Sequence, residues 1–131
     1  MNEHNRLPKV GERCTPQDIL KVCTFFGYRD LARRIEEHLD VLDNFVSDGC
    51  SMWPDERRGK DYRRCCIVHD MEYWVGGSQD DKFRADCRLA ICVSRHAGYK
   101  VAEAMFMGVR AGGTIGDFFR TGWRWGYGRQ A

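Results

Sequence analysis

The sequence predicts a mainly α-helical chain that forms one domain stapled by disulfide bonds. Apolar residues recur at steps of three and four positions in several segments, which places them on one face of a helix. No segment shows the convincing alternation of apolar and polar residues that marks a half-buried strand. Seven cysteines are many for 131 residues and indicate a disulfide framework, catalysis or metal binding. This length is enough for one modest core, so residues 1–131 are expected to form a single domain.

The composition restricts the classes of function. Hydrophobic residues make up 43% and charged residues 31% of the chain, and the net charge is only +2, so nucleic acid is not an expected partner. No apolar run approaches the roughly 20 residues that a membrane-spanning helix needs. The first ten residues, MNEHNRLPKV, lack the apolar stretch of a signal peptide. The cysteine content nevertheless suggests an extracellular or otherwise oxidising compartment, so the two observations conflict.

Two helices are predicted in an N-terminal extension at residues 15–46. Thr15 is a suitable N-cap and Pro16 a suitable first residue for a helix that runs to about Phe25 and ends at Gly27. Asp30 resembles the N-cap of a second helix. The apolar stripe of that helix consists of Leu31, Ile35, Leu39, Leu42 and Phe45. Its opposite side carries Arg33, Arg34, Glu36 and Glu37.

Three more helices should follow a loop at residues 47–59, where Gly, Pro, Asp and Ser disfavour helix. The third helix runs from about residue 60 to residue 74 and stops at Gly76-Gly77. The fourth begins at Asp80 or Asp81 and ends near Gly98. Its stripe contains Phe83, Asp86, Leu89, Ala90 and Val93. The C-terminal part, residues 97–131, contains a helix at about residues 99–109 and a tail rich in glycine and aromatic residues.

The segment CCIVHDMEY, residues 65–73, places polar side chains on a helix face that should meet a neighbour. Cys66, His69, Asp70 and Tyr73 lie at steps of three, four and seven positions. Burying such side chains costs free energy unless they are paired or bound to a ligand. The face is therefore either a satisfied polar network or a functional site. A single helical histidine is more often a surface or capping residue than a catalyst.

Two other positions strengthen the hypothesis of a site. Asp48 and Gly49 offer a carboxylate and a flexible backbone carbonyl, which are ligands that Ca²⁺ accepts, and Asp70 would supply a second carboxylate. The alternative for Asp48-Gly49 is an ordinary Asx turn. Asp86 lies on the apolar stripe of the fourth helix, where a carboxylate needs a partner. If the third and fourth helices pack antiparallel, Asp86 reaches His69; otherwise it is an exposed residue on a rotated helix.

The stretch DGC…PD…CCIVHDMEY…GG…AD…C resembles the phospholipase A2 superfamily, and its loop is most similar to the prokaryotic branch. The specific part is Cys-Cys-x-x-His-Asp-x-x-Tyr. Cys50 lies nineteen residues before His69, as the loop cysteine does in prokaryotic members. Cys92 lies six residues after Asp86, as its counterpart does in the secreted animal enzymes. The resemblance implies a core at about residues 47–96 with two antiparallel disulfide-linked helices and a Ca²⁺-binding loop.

The resemblance also implies an activity and the residues that carry it. It predicts Ca²⁺-dependent hydrolysis of a glycerophospholipid ester at a membrane surface or micelle, releasing fatty acid and lysophospholipid. His69 falls on the general base, Asp86 on the aspartate that orients it, and Tyr73 on a supporting tyrosine. The metal ligands fall on Asp48, Asp70 and the Gly49 carbonyl. The implied disulfide bonds are Cys50–Cys66 and Cys65–Cys92.

The chain departs from the family in several places. Animal enzymes have a bridged pair of cysteines where this chain has Glu72 and Ala85. The loop DGCSMWPDERRG replaces their glycine-rich Ca²⁺ loop, which leaves the number of carbonyl ligands open. The resemblance assigns no partner to the remaining cysteines, Cys14, Cys23 and Cys87.

Two surface hypotheses and two alternative functions stay open at this stage. Met52, Trp53 and Trp74 flank the predicted site and either dock on a lipid surface or pack in its wall. The tail FFRTGWRWGYGR is expected to fold back over the core, with lipid or nucleic-acid contact as alternatives. A non-catalytic phospholipase-like module is one alternative function. A zinc-stapled module is the other, with Cys50, Cys65, Cys66 and His69 as candidate ligands.

Overall fold

The computed structural model describes residues 4–50, 56–57, 60–119 and 124–129, and this part of the chain is mainly helical. The helices are α1 (Pro16–Phe26), α2 (Arg29–Glu37), α3 (Arg63–Val75), α4 (Gln79–Ala97) and α5 (Tyr99–Phe119). Two short strands, β1 (Glu56–Arg57) and β2 (Lys60–Asp61), pair antiparallel just before α3. The prediction of a mainly α-helical chain with disulfide bonds is confirmed.

Helix α1 begins and ends as the sequence predicts. The Thr15 hydroxyl accepts a hydrogen bond from the Asp18 backbone, and the Asp18 carboxylate accepts one from the Thr15 backbone, which completes a capping box. Gly27 terminates the helix in the left-handed conformation, with φ of 76°. The local sequence therefore determines both ends of this helix.

Helix α2 is shorter than predicted, which corrects the expectation that its stripe continues to Phe45. It ends at Glu37, and residues 42–47 instead form backbone bridges with residues 10–14 and with the C-terminal segment. Phe45 and Cys14 exchange two backbone hydrogen bonds, of 2.9 and 2.7 Å. These contacts satisfy the backbone groups that a longer helix would have paired internally. Phe45 still enters the core, where it is fully buried.

Helices α3 and α4 form an antiparallel pair. The early residue Cys65 of α3 is bonded to the late residue Cys92 of α4, whereas the late residue Tyr73 contacts the earlier Asp86. The link between the helices is Gly76-Gly77, as predicted, and Ser78 caps α4 through a capping box. The pairing places the face of α3 that carries His69 and Tyr73 against the face of α4 that carries Asp86. Phe83 is an exception on that stripe, because half of its surface is exposed and it packs outward against Phe106.

Helix α5 continues ten residues beyond the predicted end, through Gly112 and Gly113 to Phe119. Glycine usually weakens a helix interior, but here it allows a close approach. A Cβ atom at Gly113 would lie 2.6 Å from the Tyr73 hydroxyl, so no larger residue fits without movement. None of the helices in the described residues is both long and apolar enough to span a membrane.

Two apolar clusters lie on either side of α3. The first packs α1 and α2 against one face of α3 around Ile19, Ile35 and Met71. The second packs α4 and α5 against the other face, around Leu89, Val93 and Met105. The N- and C-terminal helices therefore both contribute to covering α3, which leaves ten of its thirteen residues buried.

The C-terminal segment at residues 124–129 folds back over the end of α3, as predicted. The backbone amides of Gly126 and Gly128 donate to the carbonyls of Tyr73 and Trp74, at 2.6 and 2.9 Å. The Trp125 indole donates to the Gly77 carbonyl, and its ring stacks edge-on against Tyr73. This segment therefore covers the end of the α3–α4 pair at which α3 ends and α4 begins.

Candidate functional site

The centre of the candidate site is a hydrogen bond between His69 and Asp86. His69 lies midway along α3 with 3% of its surface exposed, and its Nε2 atom lies 2.7 Å from Asp86 Oδ1. The Asp86 carboxylate accepts at this position, so Nε2 carries the proton and the other ring nitrogen, Nδ1, is left with its lone pair. No described residue hydrogen-bonds Nδ1. An imidazole held in this way can accept a proton at Nδ1.

Asp86 is fully buried and has three hydrogen-bond partners. Its second oxygen accepts from the Tyr73 hydroxyl at 3.2 Å and from Arg110 Nη1 at 2.8 Å. A buried carboxylate needs such partners, and the guanidinium also balances its charge. The contact with Tyr73 is the one that the family resemblance implies. Arg110 was not among the predicted site residues, because the predicted fifth helix ended one residue before it.

A second part of the candidate site is a pair of carboxylates formed by Asp70, which follows His69 on α3, and Asp48, which lies in the chain before α3. Asp70 is 6% exposed, and its Oδ2 atom accepts a hydrogen bond from the Ser47 hydroxyl at 2.7 Å. Burial raises the pKa of Asp70 well above its usual value; the Ser47 bond lowers it, and the adjacent Asp48 carboxylate raises it further. The Gly49 amide donates to the same hydroxyl at 3.0 Å, and its φ of 72° turns the chain back. Ser47 was not among the predicted site residues, since it lies 23 positions from Asp70 and no local pattern links the two.

Asp48, Asp70 and Gly49 have the chemistry of a binding site for a hard cation. Asp48 and Asp70 are close enough to interact, and both offer oxygen ligands of the kind that Ca²⁺ binds. Asp70 is buried and Asp48 is exposed, so the repulsion between their charges falls mainly on the buried Asp70, and a divalent cation between them would remove it. Gly49 lies in the same turn and adds a backbone carbonyl. Tyr127 of the C-terminal segment also lies near this pair, since burial first, and then the charges of Asp70 and Asp48, raise its pKa.

Four of the seven cysteines form disulfide bonds. The bonds are Cys50–Cys66, which ties the loop to α3, and Cys65–Cys92, which ties α3 to α4. These are the pairings that the family resemblance implies. They also bear on the zinc-stapled alternative, because the three cysteines of its ligand set have no free thiol. His96 lies beside Cys65 and Cys92, and the three ligand atoms lie within 4.8 Å of one another, but the two sulfurs are bonded to each other.

Of the three residues that were expected to contact lipid or to pack in the wall of the site, Trp74 lies in the described part of the chain. Trp74 is 1% exposed, packs against Phe45 and donates its indole hydrogen to the Asp43 carbonyl at 3.1 Å. It is therefore a core residue, and the suggestion that it contacts lipid is wrong. Met52 and Trp53 lie outside the described residues.

No protein-family model, curated protein or solved structure matches this chain. The assignment of a function therefore depends on the geometry of the residues themselves.

A buried ion network is centred on Glu72, one turn beyond His69 on α3. Glu72 accepts from Arg34 Nη2 at 2.8 Å and from Arg88 Nε at 3.1 Å, which connects α3 to both α2 and α4. Arg34 also donates to the Gly76 carbonyl at 2.7 Å. The expectation that Arg34 lies on the solvent side of its helix is wrong, since it is 2% exposed. Its partner Glu72 is distant in sequence, so the helical pattern of α2 does not reveal it.

The three free thiols, Cys14, Cys23 and Cys87, should differ in reactivity. Burial raises the pKa of Cys14 to about 11 and that of Cys23 to about 12, whereas Cys87 is only partly buried. The thiolate is the nucleophile. At pH 8 fewer than about one in a hundred molecules carry a thiolate at Cys14, and the same holds for Cys23. Brief treatment with iodoacetamide, followed by mass spectrometry, should label Cys87 first. In denaturant all three should react alike; preferential labelling of Cys23 in the native protein would contradict this arrangement.

Proposed function

We propose that this chain hydrolyses an acyl ester of a glycerophospholipid in the manner of a phospholipase A2, with Ca²⁺ as cofactor and fatty acid and lysophospholipid as products. The observation that supports this most is the 2.7 Å contact between buried His69 and Asp86, next to the paired carboxylates of Asp70 and Asp48. A polarised imidazole beside a cation-binding carboxylate pair is suited to hydrolysis by an activated water.

In the proposed reaction His69 acts as the general base. Its Nδ1 atom removes a proton from a water molecule as the water attacks the ester carbonyl, and it returns the proton to the leaving alcohol. Asp86 stabilises the imidazolium that forms and keeps the ring in one tautomer, the role of the aspartate in a catalytic triad. Tyr73 and Arg110 hold Asp86 in position. Because water is the nucleophile, no acyl-enzyme forms.

Asp48, Asp70 and the Gly49 carbonyl are the residues that would hold Ca²⁺. The ion, when bound, supplies positive charge that polarises the ester carbonyl and stabilises the oxyanion. The Ser47 hydroxyl donates to the Oδ2 atom of Asp70 and holds that carboxylate in place. The substrate would be presented at a phospholipid membrane surface or in a micelle.

The first test is hydrolysis of a fluorescent phospholipid in vesicles, with Ca²⁺ and then with excess chelator. Since a metal Lewis acid contributes several kcal/mol to such reactions, chelation should lower the rate by about 100-fold or more. Asp70→Asn should lower the rate similarly, while Asp40→Asn, at an exposed position, should leave it unchanged. Equal rates with Ca²⁺ and with chelator would contradict the role of the metal.

One observation favours a second candidate, a non-catalytic phospholipase-like binding module. His69 is only 3% exposed, so little of its ring reaches solvent in this structure. The two candidates differ in one measurement: a binding module would attach to vesicles and release no fatty acid. Detection of released fatty acid that is lost in His69→Gln would exclude the module.

A further inference from the structure

A groove lies between the beginning of α2 and the faces of α3 and α4, and His69 is one of the residues that line it. Its volume is about 410 Å³, within the range of about 300–1,000 Å³ that small-molecule sites occupy. Much of its wall is apolar and includes Leu31, Val68, Leu89 and Ile91. The Cys65–Cys92 disulfide forms another part of the wall. Ile91 is 53% exposed, an unusual amount for an isoleucine that contacts a cavity.

The same groove is lined by four arginines, of which three lack an acidic partner. Arg88 is paired with Glu72, but no carboxylate of the described residues lies within 4.0 Å of Arg29, Arg64 or Arg95. All three are exposed and belong to three different helices. Arginine side chains commonly extend along apolar surface and place the guanidinium at its rim.

The acidic residues of the groove do not cancel this charge. Glu72 is held by Arg34 and Arg88, and Asp30 is held by Arg33 and Arg34. Neither carboxylate is therefore available to the three unpaired arginines. The result is an apolar wall with uncompensated positive charge, which is complementary to a ligand that has hydrocarbon and an anionic group in one molecule.

We propose that this groove binds a single-chain anionic lipid, with the acyl chain against Val68, Leu89 and Ile91 and the carboxylate or phosphate at the guanidinium groups of Arg64 and Arg95. Burial of the chain supplies the affinity. The guanidinium groups, which bind carboxylate and phosphate through paired hydrogen bonds, select the anionic head. The apolar wall and the arginines of the groove support this proposal, but His69 belongs to the same lining, so a bound lipid would lie beside the residue that the proposed hydrolysis uses as its base.

The test is displacement of the fluorescent fatty acid parinarate from the full chain, in buffer with chelator so that Ca²⁺-dependent hydrolysis does not operate. Three competitors with the same twelve-carbon chain are compared below their micelle concentrations: laurate, dodecyl phosphate and dodecyltrimethylammonium. We expect at least one anion to compete at least tenfold more strongly than the cation. The ratio of laurate to dodecyl phosphate then distinguishes a carboxylate from a phosphate head. Equal competition by the cation would overturn the proposal.

Variants locate the binding in the groove. The double substitution Arg64→Gln with Arg95→Gln should weaken laurate binding by about tenfold or more, because both charge-assisted hydrogen bonds are lost. Ile91→Glu should weaken it as well, and this exposed position should tolerate the change without unfolding. The matched control is Arg84→Gln, an exposed arginine of α4 outside the groove, which should bind like the original chain. If Arg84→Gln weakens binding as much as the double variant, the effect is general charge and the groove is not the site.

Discussion

His69→Gln is expected to lower phospholipid hydrolysis by about 10²- to 10⁴-fold, the usual contribution of a general base. Glutamine is close in length to histidine, and its amide can donate to the Asp86 oxygen that His69 Nε2 now contacts at 2.7 Å. The buried carboxylate therefore keeps a partner, which limits the loss of stability. The amide cannot accept a proton near neutral pH, so only the chemistry is removed. The rate is measured as fatty acid released from vesicles in Ca²⁺.

The matched control for this prediction is His96→Gln, which removes an exposed histidine of α4. It should hydrolyse lipid at the original rate. Both histidine variants should melt within a few degrees of the original chain. Asp86→Asn should also be slow, because the Nε2 proton would lose its charged acceptor and the imidazolium its counter-charge. If His69→Gln retains hydrolysis within a factor of three of the original rate, His69 is not the base.

Glu72→Gln should destabilise the fold by about 3–5 kcal/mol, the usual cost of removing one partner from a buried ion pair. The Arg34 guanidinium is 3% exposed and loses its buried carboxylate, so its charge is left with only the more exposed Asp30. The substitution also releases Arg88 from α3. The free energy of unfolding is measured by urea denaturation with the disulfide bonds intact.

A control variant separates this effect from general loss of charge. Glu37→Gln breaks the pair with Arg33, in which both side chains are more than half exposed, so the midpoint in urea should barely move. Arg34→Met combined with Glu72→Met should recover part of the lost stability. Arg88 can then turn to solvent, and this network no longer contains a buried charge. Equal effects of Glu72→Gln and Glu37→Gln would show that the network contributes little.

The Glu72 network lies where this sequence differs from the phospholipase A2 enzymes that it resembles. In the animal enzymes a disulfide bond joins the two central helices at the positions that Glu72 and Ala85 occupy here. In this chain Glu72 instead bonds Arg88, one turn beyond Ala85 on α4, and Arg34 on α2. Ion pairs thus link α3 to α4 at this place, and the same network includes Arg34 of α2.

The sequence by itself determined the features that depend on neighbouring residues. The capping boxes at Thr15 and Ser78 need only residues three positions apart, and Gly27 and Gly76 end helices through their own backbone freedom. The steps of three and four along α3 were enough to place His69 and Asp70 on a face that meets another element. The stripe of α4 predicted a buried Asp86, but whether it met His69 depended on the antiparallel packing of the two helices.

Only the tertiary structure decided the contacts that join segments far apart in the chain. Arg110 lies 24 positions from Asp86, and Arg34 lies 38 positions from Glu72, so no local period records either pair. The early end of α2 has the same cause, since residues 42–47 exchange helical hydrogen bonds for pairing with residues 10–14. The burial of Trp74 under the C-terminal segment was decided in the same way. Periodicity specifies which face of a helix is buried, whereas the partner on that face depends on how the remaining elements pack.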